Sequence, residues 1–146
     1  MTRRYYNHLI LLVLFFLIAL GDGCFSVKPI YFEDDKLLAR KQVEQFHNFY
    51  NEGKYAEMRP LFTASERQKV SEEQFFSLLQ SLNTKSGSVK ISKLIKSDVK
   101  VQGAFRVIHM FFETQFEKGK IFEEFDCLVD GENSKINFYG QPENIP

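Results

Sequence analysis

Side chains able to do acid–base or metal chemistry are sparse in this 146-residue chain, and their types and spacing limit what it can do. There are three histidines, His8, His47 and His109, and two cysteines, Cys24 and Cys127. Two cysteines with no C-x-x-C or Cys/His spacing make no zinc site. Nothing matches a nucleophile elbow, a phosphate loop, a zincin helix or a dinucleotide fingerprint, so no catalytic residue, metal or cofactor is assigned. His47 stands between Phe46 and Asn48, just off an apolar helical stripe, which places it at the edge of a core. His109 lies on the strand face opposite Ile108, Met110 and Phe112. Spacing gives neither histidine a reason to converge with carboxylates, and both are read as structural or surface groups. One carboxylate is different. Glu123 interrupts the alternating series Ile121, Phe125, Cys127 and Val129. It is the one acidic group expected to face apolar surroundings, where a carboxyl has its pKa raised.

The elements that must carry these groups follow from periodicity. Ala39, Val43, Phe46 and Tyr50 recur at helical spacing, predicting a helix that starts near Asp34 or Asp35 and stops at Gly53. A second, shorter helix from about Lys54 turns Tyr55, Met58 and Phe62 inward, with Pro60 kinking or ending it. Ser71-Glu72-Glu73-Gln74 is a capping box that opens a third helix, whose stripe is Phe75, Leu78, Leu79 and Leu82. After Asn83 the period falls from 3.6 to 2. Strands are expected over Val89 to Val99, Ala104 to Lys118, Ile121 to Val129 and Lys135 to Tyr139, the last two joined by an Asp130-Gly131 turn. Ile108, Met110, Phe112, Thr114 and Phe116 share one face. Helices first and a meander second define an α+β class: three N-terminal helices packed on a curved antiparallel sheet of about four strands. This single domain spans residues 34–140, with a frayed tail at 141–146.

Residues 1–23 read as an export signal. Arg3 and Arg4 supply the positive start, and Leu9 to Leu20 is an unbroken apolar run. That run has the length of a signal peptide's apolar region and falls short of the about 20 residues a helix needs to cross a bilayer. Cleavage has two readings. Gly23-Cys24 resembles the end of a bacterial lipobox, which would make Cys24 a lipidated N-terminus and anchor the chain in a membrane. Ala19-Leu20-Gly21 also satisfies the small-x-small rule, leaving Cys24 a thiol free to pair with Cys127 in an oxidising compartment. Cys127 shares a strand face with Phe125 and Val129 and is expected to point into the core, which disfavours that bridge. Residues 24–33, with Pro29, form a tether. Both readings place the mature chain in a bacterial cell envelope, membrane-anchored or else periplasmic or secreted.

Two segments, Val43 to Phe62 (VEQFHNFYNEGKYAEMRPLF) and Ser71 to Gln80 (SEEQFFSLLQ), are followed by the strand pair Phe111 to Phe125 (FFETQFEKGKIFEEF). Together they resemble the nuclear transport factor 2-like (cystatin-like cone) superfamily, and within it small bacterial envelope proteins of unknown function. The resemblance covers most of residues 36 to 140. It implies a cone closed at its narrow end by aromatics, and it is nearly silent on activity, because this fold hosts enzymes, binding modules and structural subunits alike. Pro60 departs from the usual uninterrupted second helix. The candidate pocket comprises Phe46, Tyr50, Tyr55, Phe75, Met110, Phe112, Phe116, Glu123 and Phe125, which would line or fill the interior.

Three functions compete. The first is a non-enzymatic, lipid-anchored domain that binds a small apolar ligand or a partner protein. The second, by likeness to ketosteroid isomerase-type members, is a small isomerase- or hydratase-like enzyme with Glu123 as pocket carboxylate and Tyr50 or Tyr55 as hydroxyl donor. The third is a structural subunit that forms a homodimer through its outer sheet face, where Phe105, Val107 and Phe111 are unusually apolar. Nucleic acid is not an expected partner: 19 Lys+Arg balance 19 Asp+Glu, whereas engaging phosphates takes a strongly basic balance. The basic run Lys85, Lys90, Lys93, Lys96 and Lys100 reads first as protection of an edge strand and second as a contact for anionic headgroups.

Overall fold

The computed structural model describes residues 30–143. The export signal, Cys24 with its lipid and disulfide alternatives, residues 24–29 of the expected tether and residues 144–146 of the tail lie outside the described residues. Helix α1 spans Ile30–Asn51, α2 Tyr55–Met58, a 3-10 turn Arg59–Leu61, α3 Ala64–Lys69 and α4 Glu72–Ser86. Strands β1 (Val89–Gln102), β2 (Phe105–Phe116), β3 (Gly119–Asp130) and β4 (Asn133–Gly140) then form one antiparallel sheet in the order β1-β2-β3-β4. The fold is therefore α+β, with helices followed by a curved four-stranded meander, and α1 packs against all four strands.

The helices differ from expectation in three places. First, α1 begins at Ile30 rather than at Asp34 or Asp35, so residues 30–33 of the expected tether are helical. Glu33 falls in the first turn, where a carboxylate suits the helix dipole, and it accepts a hydrogen bond from Lys36 at 2.9 Å. Asp35 is no cap; it is buried and pairs with Arg106 on β2. Second, α2 is a single turn, because Pro60 shortens it into the 3-10 segment. Third, the described residues form four α-helices rather than three. Thr63-Ala64-Ser65-Glu66 starts α3, with the Thr63 hydroxyl accepting from the Glu66 amide at 3.2 Å. The capping box of α4 forms as expected: Ser71 Oγ accepts from the Gln74 amide and Gln74 Oε1 from the Ser71 amide.

Strand alternation sorts the side chains into two layers. Ile108, Met110, Phe112, Thr114 and Phe116 of β2 and Glu123, Phe125, Cys127 and Val129 of β3 are buried against α1. Ala39, Val43, Phe46 and Tyr50 meet them from the helix side, and Met58, Phe62, Leu79 and Ile136 complete the core. Each large side chain so buried contributes about 1.5–3 kcal/mol. The stripe expected on α4 is only partly used: Leu79 is buried and Leu78 is 59% exposed. Register shifts between Val89 and Ile91 and between Leu94 and Lys96 explain why β1 alternates only loosely.

The two sheet edges are unlike. The β1 edge is unpaired among the described residues, and Lys90, Lys93, Lys96 and Lys100 along it are exposed. The β4 edge is crossed at its middle by Phe62 and Thr63, which bridge Ile136 in parallel through a Thr63 amide bond to its carbonyl at 2.8 Å. On the outer face Phe105 is 43% exposed, whereas Phe111 is buried against the His109 ring at 4.7 Å, so this face is less apolar to solvent than its sequence implies.

Candidate functional site

A carboxylate sits at the centre of the molecule. Glu123 belongs to the inward face of β3, between Ile121 and Phe125, and is fully buried. Its Oε2 lies 2.9 Å from His47 Nε2, and its Oε1 accepts from the Tyr139 hydroxyl at 3.0 Å. That hydroxyl in turn accepts from Gln141 Nε2 at 2.8 Å. His47 arrives because it neighbours Phe46 on the buried side of α1, and it is itself nearly inaccessible. Tyr139 arrives through a change of register. Ile136 pairs with Cys127 and Phe138 with Asp126, so one residue of β4 is skipped and the inward side passes from Phe138 to Tyr139.

Aromatic rings wall this chain of groups. Phe125 lies 6.0 Å from the His47 ring and 4.9 Å from that of Tyr139, and Phe46 contacts both His47 and Tyr139. Burial, and then the charge of Glu123, hold the Tyr139 phenol well above its ordinary range. The arrangement is a hydrogen-bonded chain, histidine to carboxylate to phenol to amide, running from the core to the surface at Gln141.

The expected roles are thus redistributed. Glu123 faces apolar surroundings as its alternation implied, but its hydroxyl partner is Tyr139, not Tyr50 or Tyr55. Tyr50 donates to the Gly87 carbonyl at 3.1 Å, and burial raises its phenol. Tyr55 is half-buried with its ring 6.4 Å from that of Tyr50. Both histidines of the described residues meet carboxylates, each separately. His47 meets Glu123 inside, and on the outer face His109 uses Nδ1 toward Asp126 and Nε2 toward Glu124, the latter at 3.3 Å. Alternation could have found the His109 cluster, since Asp126 is its directly opposed residue on β3. Among the described residues no group of three or more His, Cys, Asp or Glu is placed to hold a metal. Cys127 is buried with its thiol pushed up to about 12 by burial.

The candidate pocket is filled. Phe46, Phe112 and Phe125 pack edge to face, as do Tyr50 and Phe116, and Glu123 is fully buried beneath them. Concave space lies outside: a polar hollow of about 240 Å³ between α1 and β1 is lined by Glu33, Lys36, Leu37, Arg40 and Leu94 and reaches Met110 of the candidate pocket, and two more lie along the edge where α3 and α4 meet β4. One hollow of about 130 Å³ is lined by Phe62, Val70, Phe75 and Leu78 with Arg59 and Arg67 at its margin. A second of about 290 Å³ is lined by Leu78, Leu79, Leu82, Lys85 and Gln141. Leu78 and Tyr139 belong to both, which joins them into one apolar trough. Tyr139 is therefore shared between that trough and the buried carboxylate.

Fold and site together define an α+β protein with a buried His–Glu–Tyr chain beneath a surface trough. No family model and no curated protein matches this chain. Among solved structures it is similar to Bd1075 of Bdellovibrio bacteriovorus, at 11% sequence identity and a TM-score of 0.48. That alignment covers 70% of this chain and 38% of the other, so this chain spans under two fifths of that protein's length. No helix of the described residues is long and apolar enough to cross a membrane.

Proposed function

We propose that this chain is an exported envelope protein, held at a membrane through its N-terminal segment, whose nuclear transport factor 2-like domain binds a small, mainly apolar ligand without chemistry. The trough across Leu78 and Tyr139 carries this reading. A large apolar side chain left 59% exposed beside Phe75 and Val70 is what a ligand or a partner's side chain would cover. This reading puts the binding place at this edge rather than among the packed aromatics of the interior. The N-terminal run from Leu9 to Leu20 and Cys24 support export and anchoring.

The test is a thermal-shift titration with fatty acids and steroids. A bound ligand raises Tm in proportion to the logarithm of its concentration above Kd. Leu78→Asp should abolish the rise while leaving the unliganded Tm unchanged. If no apolar ligand raises Tm, or if the rise survives Leu78→Asp, the reading fails.

A second reading, catalysis by Glu123, is favoured by the Tyr139–Glu123–His47 chain alone. It needs a substrate at a carboxylate that is fully buried, and the phenol proton of Tyr139 is already committed to Glu123.

A further inference from the structure

The three turns of the sheet differ in kind. The β2–β3 turn is Glu117-Lys118 with Lys120 beyond it, and the β3–β4 turn is Asp130-Gly131-Glu132-Asn133. Both carry charge; the first lies at the far end of the sheet, and the second lies beside the β1–β2 turn, since Arg106 pairs with Val129. The β1–β2 turn, Val101-Gln102-Gly103-Ala104-Phe105, carries none, and Val101 and Phe105 are 63% and 43% exposed. Exposed apolar side chains taken singly need no explanation, but an uncharged tip on a sheet whose other turns are charged is unpartnered surface.

The direction of α1 supplies what covers it. Asp35 pairs with Arg106, one residue behind the tip, while Asn51 at the other end of α1 bonds the backbone of Val89. The helix therefore runs along the whole sheet and has its beginning at the tip end. Ile30 lies five residues before Asp35, about 7 Å further out along the axis. The preceding chain joins the domain at that end, and Cys24, six residues upstream, is at most about 20 Å away. Anything that holds the N-terminal segment in a bilayer keeps this end of the sheet near the same bilayer, the uncharged tip together with the β3–β4 turn beside it, whose Asp130 and Glu132 are exposed. Lys100, exposed directly behind Val101, stands where acidic headgroups would meet it.

We propose that the β1–β2 turn is a membrane-contact tip, with Val101, Ala104 and Phe105 seated in the headgroup–acyl boundary of the bilayer that anchors the chain. The proposal rests on the anchoring reading above and extends it to the orientation of the domain: the long axis of α1 stands away from the membrane, and its far end, with Asn51 and Val89, faces the aqueous side.

The chain contains no Trp, so a single introduced indole reports alone. Phe105→Trp is compared with Ile91→Trp, a 68% exposed position near the opposite end of β1. Each is made in the full chain and reconstituted in vesicles of phosphatidylcholine and phosphatidylglycerol, with and without bromine on the acyl chains. The Phe105→Trp emission should shift to the blue and lose most of its intensity to the brominated lipid, while the Ile91→Trp emission should do neither. Equal quenching at both positions overturns the proposal. Silence at both positions in chain that floats with the vesicles overturns the tip and leaves anchoring standing. Chain that does not float with the vesicles overturns both. A Phe105→Trp emission that shifts with protein concentration in the absence of lipid assigns the tip to a contact between proteins, and that too overturns the proposal.

Discussion

Glu123 and His47 lie 76 residues apart in the chain and 2.9 Å apart in the fold, buried together between β3 and α1. A carboxylate in that position is stabilised by its two partners and by little else, because water cannot reach it. Glu123→Ala strands the His47 ring nitrogen and the Tyr139 hydroxyl at once. Removing one member of a buried pair costs about 3–5 kcal/mol, and the loss should appear as a lower urea midpoint with an unchanged m-value. A double-mutant cycle with His47→Leu should recover part of it. A loss of under about 1 kcal/mol would mean the pair contributes nothing to stability.

Stability should fall at alkaline pH through two tyrosines. Burial is the main cause that raises both Tyr50 and Tyr139 above their ordinary value of 10.0. The folded state then holds each phenolic proton more tightly than the unfolded chain does. Their contribution is whole below pH 10 and is lost as pH rises through the raised folded values. Urea midpoints measured between about pH 8 and about pH 11 should decline, and Tyr139→Phe and Tyr50→Phe should each flatten the decline. A decline just as steep in the double variant would exonerate both residues.

Cys127 should be chemically silent in the folded protein. Its thiol is pushed up to about 12 by burial, and its sulfur lies 3.9 Å from the Ala39 carbonyl. In a Cys24→Ser chain, alkylation followed by mass spectrometry should proceed no faster than global unfolding. Rapid labelling at neutral pH would show that β3 opens locally.

Gly87 is fixed by its surroundings as well as by its backbone. It sits at φ +74°, and a Cβ there would stand 2.7 Å from Glu117 Cβ and 2.5 Å from Glu117 Oε2. Its carbonyl is also the acceptor for Tyr50. Gly87→Ala should cost about 1–3 kcal/mol and lower Tm, whereas Gly53→Ala, strained but open, should cost less.

Much of the architecture was legible because period and faces are local properties. The capping box at Ser71 marked α4, and the alternation through Phe112 and Phe125 marked the buried side of the sheet. Glu123 was legible as a core carboxylate for the same reason: its neighbours two residues away on either side are apolar. Its partners were not. The meeting with His47 depends on how α1 is rotated over the sheet, which no spacing within α1 states. Tyr139 was hidden by the skipped residue in β4, since strict alternation from Ile136 would send Phe138 inward and Tyr139 out. The filled interior was illegible too, because the same aromatics suit a lined cavity and a packed one, and only their mutual geometry decides between them. The start of α3 could have been seen: Thr63 and Glu66 have the spacing of a helix cap and stand beside the more conspicuous Pro60.

The unequal edges of the sheet bear on how copies of this chain can associate. An endless ribbon of sheets needs two free edges on every copy, one to give and one to receive. Here Phe62 and Thr63 cross β4 at Ile136 and interrupt that edge, whereas the β1 edge is unpaired among the described residues. Among the described residues, two chains joined through β1 would present only the interrupted β4 edges, which hinder growth beyond a pair. The lysines along β1 repel even that first pairing. The crossing at Ile136 thus acts as a brake on strand addition, a protection against fibre growth in a protein whose core is unusually rich in phenylalanine.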